Sequence, residues 1–299
     1  MIDIVLASDR NLIRQAGITA LSAARASSLP VRATFLTPQA DADHRDWGLV
    51  EAALRKRGVS YSLVPVTLNA SRLQLAEHLT AVTYYRLVLP TLLPEGQRRA
   101  IYLDCDVIVH RDLAELWSMK MNDMPIAAAP DLNFRDWSRL GIESANGYFN
   151  AGVLLLDLHV IRTTGAFESA LEFSRENPGA LTWSDQCALN RVFTRKWIRL
   201  DRHWNYQYST FMDDIRQHGM RAAVEAASKS VIHFNNYERP WLAEFPHPLK
   251  KFYLSVVAAN PELASPSSRT IPQQLQYLKR LIKWRIAPWR ERRRSRKTG

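Results

Sequence analysis

The chain has little of what secreted and membrane-spanning proteins require. It contains two cysteines, Cys105 and Cys187, in 299 residues, which excludes a disulfide framework and favours a reducing compartment. No segment reaches the roughly 18 consecutive apolar residues that a membrane-spanning helix needs. The N-terminal sequence MIDIVLASDR carries an acid early and continues into a strand-like segment, so we expect no signal peptide. We find no internal repeat, and a cytoplasmic location is the expectation.

Positive charge is abundant, but it is unevenly distributed. Residues 270–299 hold ten Lys or Arg and one Glu, a net charge of +9, whereas the other 269 residues hold 30 basic and 28 acidic groups. A nucleic-acid-binding domain would carry basic residues across its fold. The body is close to neutral and shows no recognition module, so we expect no nucleic-acid partner.

Apolar runs alternate with segments of helical spacing along most of the chain. Hydrophobic residues make up 46% and charged residues 23%, as in ordinary globular proteins. Strands alternating with helices predict an α/β fold with a mainly parallel sheet. Strands are predicted at 2–7, 31–37, 59–66, 100–104, 125–130, 149–158 and 229–234, and helices at 12–26, 45–57, 72–92, 161–175 and 184–194.

The composition changes near residue 261, so we place one domain at 1–260 and a tail at 261–299. The tail opens with a Pro- and Ser-rich linker and ends in a basic segment containing Trp284 and Trp289. A basic amphipathic helix with tryptophans is typical of attachment to an anionic membrane surface. The alternative is a helix packed on the domain with a disordered basic end. Apolar residues predicted on one helical face are Leu275, Leu278, Ile282 and Ile286, with Leu281 beside them.

The clearest chemical motif is Asp104-Cys105-Asp106, directly after the predicted strand 100–104. Ligands of open α/β sheets bind beyond the carboxyl ends of strands, and paired carboxylates are oxygen ligands for Mg²⁺ or Mn²⁺. His233 follows another strand and offers an imidazole that also binds Mn²⁺. Alternatively, the acidic pair is part of a turn and the histidine belongs to the core.

Three further segments carry polar or small residues at predicted element ends. Asp9, after the first strand, could meet a nucleotide or cap a helix. The run 149–152 permits close approach of a ligand or forms a tight turn. The run 183–186 contains Asp185 and Gln186 and could equally be a helix N-cap.

Taken in this order, the motifs resemble glycosyltransferase family 8, the retaining enzymes with a GT-A fold that include bacterial lipopolysaccharide galactosyl- and glucosyltransferases. The similarity extends from residue 2 to about 241. It implies a Rossmann-like mixed sheet flanked by helices, a UDP-hexose donor carrying galactose or glucose, and Mn²⁺ or Mg²⁺ bound by Asp104, Asp106 and His233. It also implies a glycan or glycolipid acceptor of lipopolysaccharide type and, with the tail, a peripheral position at the inner face of the cell membrane.

The resemblance assigns further residues to the two substrates. His78 and Asp131 match acceptor-lining positions. The sequence departs from bacterial members after His233, where Asn236 replaces a Gly and could adopt a left-handed backbone, and Arg239 replaces a Lys near the pyrophosphate. Residues expected at the donor are Ala7, Asp9, Asn11, Arg86, Asp104, Cys105, Asn150, Ala151, Gly152, Asn236 and Arg239.

Gln186 and Asp185 match the catalytic pair beside the reactive sugar carbon. An amide is a poor nucleophile, so we favour front-face attack stabilised by Gln186, with Asp185 holding sugar hydroxyls; Asp185 as a covalent nucleophile stays open. A metal-dependent nucleotide-sugar hydrolase would use the same donor site. An inactive scaffold is disfavoured because all three metal ligands are present.

Overall fold

A seven-stranded mixed sheet forms the centre of the fold. The computed structural model describes residues 1–71, 73, 75, 80–131, 133–136, 138–143, 147–236, 239–265, 273–282 and 284. The strand order is β3-β2-β1-β4-β7-β6-β8, and a separate two-stranded sheet pairs β5 with β9. The strands are β1 (Ile2–Ala7), β2 (Val31–Pro38), β3 (Ser60–Val66), β4 (Arg99–Leu103), β5 (Val107–Val109), β6 (Ile126–Pro130), β7 (Phe149–Asp157), β8 (Trp197–Arg199) and β9 (Val231–His233).

Helices cover both faces of the central sheet. Side chains of β1 alternate between two cores, with Ile4 and Leu6 in one and Val5 and Ala7 in the other. A strand buried on both faces needs a continuous apolar run, which β1 has. The helices are α1 (Ile13–Ala26), α2 (Asp46–Lys56), α3 (Tyr85–Leu92), α4 (Leu113–Trp117), α5 (Leu158–Thr164), α6 (Ala166–Glu176), α7 (Ser184–Val192), α8 (Tyr208–His218), α9 (Met220–Ala227) and α10 (Lys250–Ala258).

The sheet is parallel on one side and antiparallel around β7. Strands β1, β2, β3 and β4 are parallel neighbours, whereas β7 runs antiparallel to both β4 and β6. The α/β fold with a mixed, helix-flanked sheet is therefore confirmed. The antiparallel pairing of β4 with β7 sets Leu103 opposite Val153, so the segments following β4 and opening β7 meet at one edge.

Two sequence predictions were wrong in detail. The helix predicted at 72–92 is not continuous, because the described residues 73, 75 and 80 lie outside any helix, and a 3₁₀ turn at Ala81–Tyr84 leads into α3. The predicted strand 229–234 shortens to β9 and lies outside the central sheet, because it pairs with β5. That pairing places His233 opposite Val107.

The C-terminal region begins with a segment packed on the domain. Leu263 is fully buried, and Arg14 on α1 donates a hydrogen bond to the carbonyl of Ala264. Residues 273–282 form a further helix, the tail helix, while Ile286 and Trp289 lie outside the described residues. Among the helices that the structure describes, none is long and apolar enough to cross a membrane.

Candidate active site

Two strand ends bring Asp104, Asp106 and His233 together. Asp104 directly follows β4, where its backbone N–H donates to the carbonyl of Gly152 at 2.8 Å. Asp106 precedes β5, and His233 ends the antiparallel partner β9. One ligand atom from each of the three side chains lies within 4.8 Å of the others. The predicted ligand set is therefore clustered in the folded chain.

The cluster presents electron pairs rather than protons to its centre. Asn205 Nδ2 donates to Asn150 Oδ1, which leaves Asn205 Oδ1 to accept from His233 Nδ1 at 3.0 Å. The proton is thereby held on Nδ1, and the lone pair of Nε2 points to Asp106 Oδ1, 3.1 Å away. That oxygen is buried without a hydrogen-bond partner.

Burial keeps His233 uncharged. Desolvation lowers the pKa of His233 to about 4, and the nearby Asp104 carboxylate offsets this only in part. A neutral imidazole nitrogen and two carboxylates with no proton between them are a donor set for a divalent cation of the Mg²⁺ or Mn²⁺ type. The residues present fit such an ion.

Gly152 leaves the space in which the cluster lies. A Cβ atom at this position would lie 2.2 Å from His233 Cε1 and 2.8 Å from Asp104 Oδ2. Both distances are shorter than van der Waals contact, so any side chain would displace the histidine or the carboxylate. The sequence prediction that residue 152 permits close approach is explained by these two contacts.

Arg86 connects the cluster to α7. Its side chain is buried, and it contacts Asp104 at 3.1 Å and Asp185 at 2.6 Å. It also donates to the carbonyl of Ala151 and lies over the ring of Tyr102, 4.6 Å from the centroid. The two carboxylates raise the pKa of Arg86 against the opposing effect of burial. The guanidinium is a fixed positive charge at the edge of the candidate metal site.

Asp185 is almost completely buried, with 2% of its surface exposed. Its Oδ1 accepts from the Thr83 hydroxyl at 2.6 Å, and its Oδ2 faces Arg86. Burial raises the pKa of Asp185 to about 6, and Arg86 and Thr83 oppose that rise. The N-cap alternative for this segment was wrong, because the N-cap of α7 is Trp183, whose side chain does not cap the helix.

Gln186 lies between Ala151, predicted at the donor, and Asp131, predicted at the acceptor. Its Oε1 accepts from the backbone N–H of Ala151 at 3.0 Å, and its Nε2 donates to Asp131 Oδ2 at 3.1 Å. Asn190, one turn further along α7, bonds both the N–H and the carbonyl of Phe149. The turn alternative for 149–152 was wrong, because these residues already belong to β7.

The loop after β1 lies against the segment that follows β4. The thiol of Cys105 is 3.1 Å from the carbonyl of Ala7, and burial raises its pKa. Asp9 Oδ1 accepts from the backbone N–H of Asn11 at 2.9 Å. Asp9 does not cap α1, whose N-cap is Leu12. The loop is thus held next to Asp104 and Asp106 by a local turn.

The segment after β9 carries Arg239 into the cluster. Its guanidinium contacts Asp106 Oδ2 and donates to the carbonyl of Phe234. Asn236, which could adopt a left-handed backbone, does not do so, because it is absent from the described residues with positive φ. His78 lies outside the described residues.

A cleft of about 810 Å³ opens beside Asp131. Asp131 is buried and accepts hydrogen bonds from Gln186 and from the backbone N–H of Asn133. The cleft walls come from the β6–β7 connection, the end of β8 and one side of α8. The cluster and the cleft are therefore joined through Gln186 and Asp131.

Comparison with known proteins assigns the chain to a family. The family model "Glycosyl transferase family 8" matches residues 3–244. The chain belongs to glycosyltransferase family 8. The resemblance drawn from the motifs is confirmed, and the match ends before the tail.

Relatives in family 8 are of low sequence identity. General stress protein A of Bacillus subtilis is 28% identical over 191 residues, covering 60% of this chain and 65% of the relative. Lipopolysaccharide 1,2-glucosyltransferase of Escherichia coli is 27% identical over 204 residues, covering 66% of this chain and 60% of the relative. The matched part of this chain therefore spans less than two thirds of either relative.

Solved structures agree on the fold. A structure of the galactosyltransferase LgtC in complex with donor and acceptor sugar analogs has a TM-score of 0.76 and 22% identity, covering 92% of this chain and all of LgtC. The structure of an active-site mutant of LgtC has a TM-score of 0.74 and 23% identity, covering 86% of this chain and 96% of the other. The mixed sheet and its flanking helices are thus the GT-A architecture.

Three polar residues in this family 8 site were missed by sequence reasoning. Asn205 orients His233, Thr83 bonds Asp185, and Asn190 holds Phe149. Each acts through a partner at least 28 residues away along the chain. Isolated Asn and Thr residues carry no local pattern, so no signal in this single sequence marks them.

Proposed function

We propose that this family 8 chain is a metal-dependent, retaining hexosyltransferase that uses a UDP-hexose donor and a glycan or glycolipid acceptor. The observation that carries the proposal is the Asp104, Asp106 and His233 cluster, whose ligand atoms lie within 4.8 Å of one another. A divalent metal bound there would neutralise charge on the departing diphosphate.

Arg86 and Arg239 add positive charge on the leaving-group side. Arg86 is fixed by two carboxylates and by the Ala151 carbonyl before any substrate arrives. Preorganised charge lowers a barrier because the protein need not reorganise when negative charge develops. Arg239 contacts Asp106, so we infer that it exchanges this partner for a phosphate oxygen on donor binding.

Front-face attack suits the arrangement at α7 better than a covalent intermediate on Asp185. The Thr83 hydroxyl donates to one oxygen of Asp185, and the other oxygen forms an ion pair with Arg86 but has no hydrogen bond to any described residue. A nucleophilic role would require Asp185 to give up this ion pair. We assign Gln186 to the sugar side, because its amide is held between Ala151 of the donor strand and Asp131 of the cleft.

The acceptor enters through the cleft beside Asp131. The relative named lipopolysaccharide 1,2-glucosyltransferase and the LgtC complex with donor and acceptor sugar analogs support a saccharide acceptor. Transfer rather than hydrolysis is favoured because the cleft is lined by Asp131, which accepts a hydrogen bond from Gln186. His78 stays an acceptor prediction.

We further propose that the tail attaches the enzyme to an anionic membrane surface at the cytoplasmic face. Leu275, Leu278 and Ile282 on the tail helix are exposed by 56%, 53% and 59%. Apolar groups on a helix in a basic segment partition into the headgroup boundary of anionic lipid. A lipid-linked acceptor would then be presented at the same surface.

The test is UDP release from a panel of UDP-, GDP- and ADP-sugars with Mn²⁺ or Mg²⁺, with and without EDTA. We expect one UDP-hexose to turn over only when a divalent metal is present. Asp106→Asn should reduce the rate by at least about 100-fold, because it removes one ligand charge. Asp123→Asn, at an exposed carboxylate before β6 and so at the opposite end of that strand from Asp131, is the matched control and should keep full activity.

Turnover that persists in EDTA, or full activity of Asp106→Asn, would remove the metal-dependent transferase from consideration. Free hexose formed at the same rate with and without an added saccharide acceptor would identify a hydrolase instead. The anomeric configuration of the product, read by NMR, decides retention.

A further inference from the structure

The acceptor cleft has an unusually basic lining. The residues of α8 that line it include Tyr208, Met212 and Arg216, which are spaced by four and therefore share one helix face. The opposite wall contains Arg135 and the end of β8 contributes Arg199. Three arginines thus line a single cleft.

Two of the three arginines lack an acidic partner. Arg216 forms an ion pair with Asp213 at 2.8 Å. Within the part of the chain that the structure describes, the exposed side chain of Arg199 makes no hydrogen bond or ion pair, and that of Arg135, also exposed, donates only to the carbonyl of Phe134. The positive charge in the cleft exceeds what its own carboxylates balance.

Arg199 is directed towards the cleft by its neighbours. It ends β8 opposite Ala128 of the parallel strand β6, two residues before Pro130 in the cleft wall. An ideal Cβ on Gly147, another lining residue, would lie 3.7 Å from Arg199 Nη1. Gly147 has a φ of +75° and no side chain that could cover the guanidinium.

A second unsatisfied group lies on α8. The hydroxyl of Ser209 is buried and has no hydrogen-bond partner, yet Ser209 lines the same cleft. Buried polar groups are normally paired, and an orphaned one indicates an absent partner. Ser209 also belongs to the N-terminal turn of α8, where the helix dipole favours negative charge.

We propose that the acceptor is an anionic saccharide whose phosphate or carboxylate group binds Arg135 and Arg199 in this cleft. The proposal rests on the transferase function above and specifies its acceptor class. Two oxygens of a phosphate or of a carboxylate can accept two parallel hydrogen bonds from one guanidinium group. The sugar ring itself has Tyr148 and Tyr208 in the cleft walls to pack against.

The test is calorimetric titration of full-length protein saturated with UDP and Mn²⁺, using glucose, glucose 6-phosphate and glucuronic acid as probes. We expect at least one anionic probe to bind about 10-fold or more tightly than glucose, because charge-assisted pairs are about twice as strong as neutral ones. The preference should decline with added salt, because the cleft is open to solvent. Preference for the phosphate or for the carboxylate identifies the group.

The double variant Arg135→Gln/Arg199→Gln should lose the anionic preference to within about threefold. Arg55→Gln is the matched control, because Arg55 is an exposed arginine on α2 paired with Glu51, outside the cleft. It should retain the preference of the native protein.

Anionic probes that bind no more tightly than glucose, including no binding by any probe, would overturn the anionic acceptor. So would a preference that survives in the double variant. UDP binding by the native protein is measured first in the same cell. Its failure counts against the transferase itself, whereas metal-dependent UDP binding without anion preference counts only against the acceptor class.

Discussion

The candidate metal site requires a residue without a side chain at position 152. The backbone carbonyl of Gly152 accepts from Asp104 and its N–H is bonded to Asn150 Oδ1, so the residue cannot withdraw from the cluster. A methyl group there would overlap His233 and Asp104. The site therefore depends on the absence of a side chain as much as on its ligands.

Gly152→Ala is expected to weaken metal-dependent UDP binding by about 10- to 100-fold, the range found when ligand-supporting residues are altered. Gly48→Ala is the matched control, because no atom lies within 4 Å of its would-be Cβ in α2. It should leave UDP binding unchanged and raise the stability by up to about 1 kcal/mol. Titration calorimetry with UDP in the presence of Mn²⁺ measures UDP binding by both variants. Native-like UDP binding by Gly152→Ala would contradict the predicted overlap with His233 and Asp104.

At the scale of single residues, the sequence predicted the candidate metal ligands but not the side chains that orient them. Asp104 and Asp106 are recognisable because they follow a buried strand, where α/β folds bind ligands. Asn205 is not recognisable, because its contact with His233 depends on how the β5–β9 pair is docked against β7. Roles that arise only from tertiary contacts leave no local trace.

Elements near the start of the chain were predicted best, whereas the later helices α8, α9 and α10 and two short strands were missed. The strands and helices from β1 to α2 lie where the spacing of apolar residues predicted them. The three-residue strands β5 and β8 went unpredicted, because so short an apolar segment has no measurable period. β5 nevertheless decides the site, since it positions β9 and with it His233.

The tail helix has two unlike faces. Trp284, just beyond it, is buried against His247 and Phe211, and Arg280 lies 4.5 Å above the ring of Phe245. This side docks on the domain, as the packed alternative proposed. The other side carries the exposed residues Leu275, Leu278 and Ile282, so docking and membrane contact are compatible in one helix.

Leu275→Gln/Ile282→Gln is expected to weaken binding to vesicles containing phosphatidylglycerol by about 10-fold or more, because each side chain is worth about 1.5–3 kcal/mol when fully buried. Leu254→Gln is the matched control, a 46%-exposed leucine on α10. Cosedimentation gives the partition coefficients. Equal losses in both proteins, or no loss in either, would remove the tail helix as the membrane contact.

Across the whole molecule, buried histidines link stability to pH. Burial lowers the pKa of His110 to about 4 and that of His247 to about 3. His110 Nε2 is buried without a partner, and its ring packs edge-on against Phe252 at 4.8 Å. Asp185 changes the stability in the opposite sense. Its pKa is raised to about 6 in the folded state, so the folded chain binds a proton at Asp185 at a higher pH than the unfolded chain does.

The direction in which stability changes with pH follows from where each state binds its proton. The unfolded chain binds a proton at His110 near its ordinary pKa of 6.5, whereas the folded chain does so only near 4. The stabilising contribution is therefore complete above about pH 6.5 and is lost as the pH falls towards 4, at up to about 1.4 kcal/mol per pH unit. His247 adds a loss of the same sign that continues to lower pH.

His110→Leu removes one of these titrating groups while keeping an apolar side chain against Phe252. Its free energy of unfolding, measured by urea titration between pH 7 and pH 4.5, should fall less steeply with acid than that of the native protein. The difference in slope should approach one proton between pH 6 and pH 5, because Asp185 titrates identically in both proteins and cancels. His159→Leu, at an exposed position on α5, should keep the native slope. Parallel curves for His110→Leu and the native protein would show that His110 takes up its proton equally in both states, and the acid sensitivity would then have to come from His247 or His233.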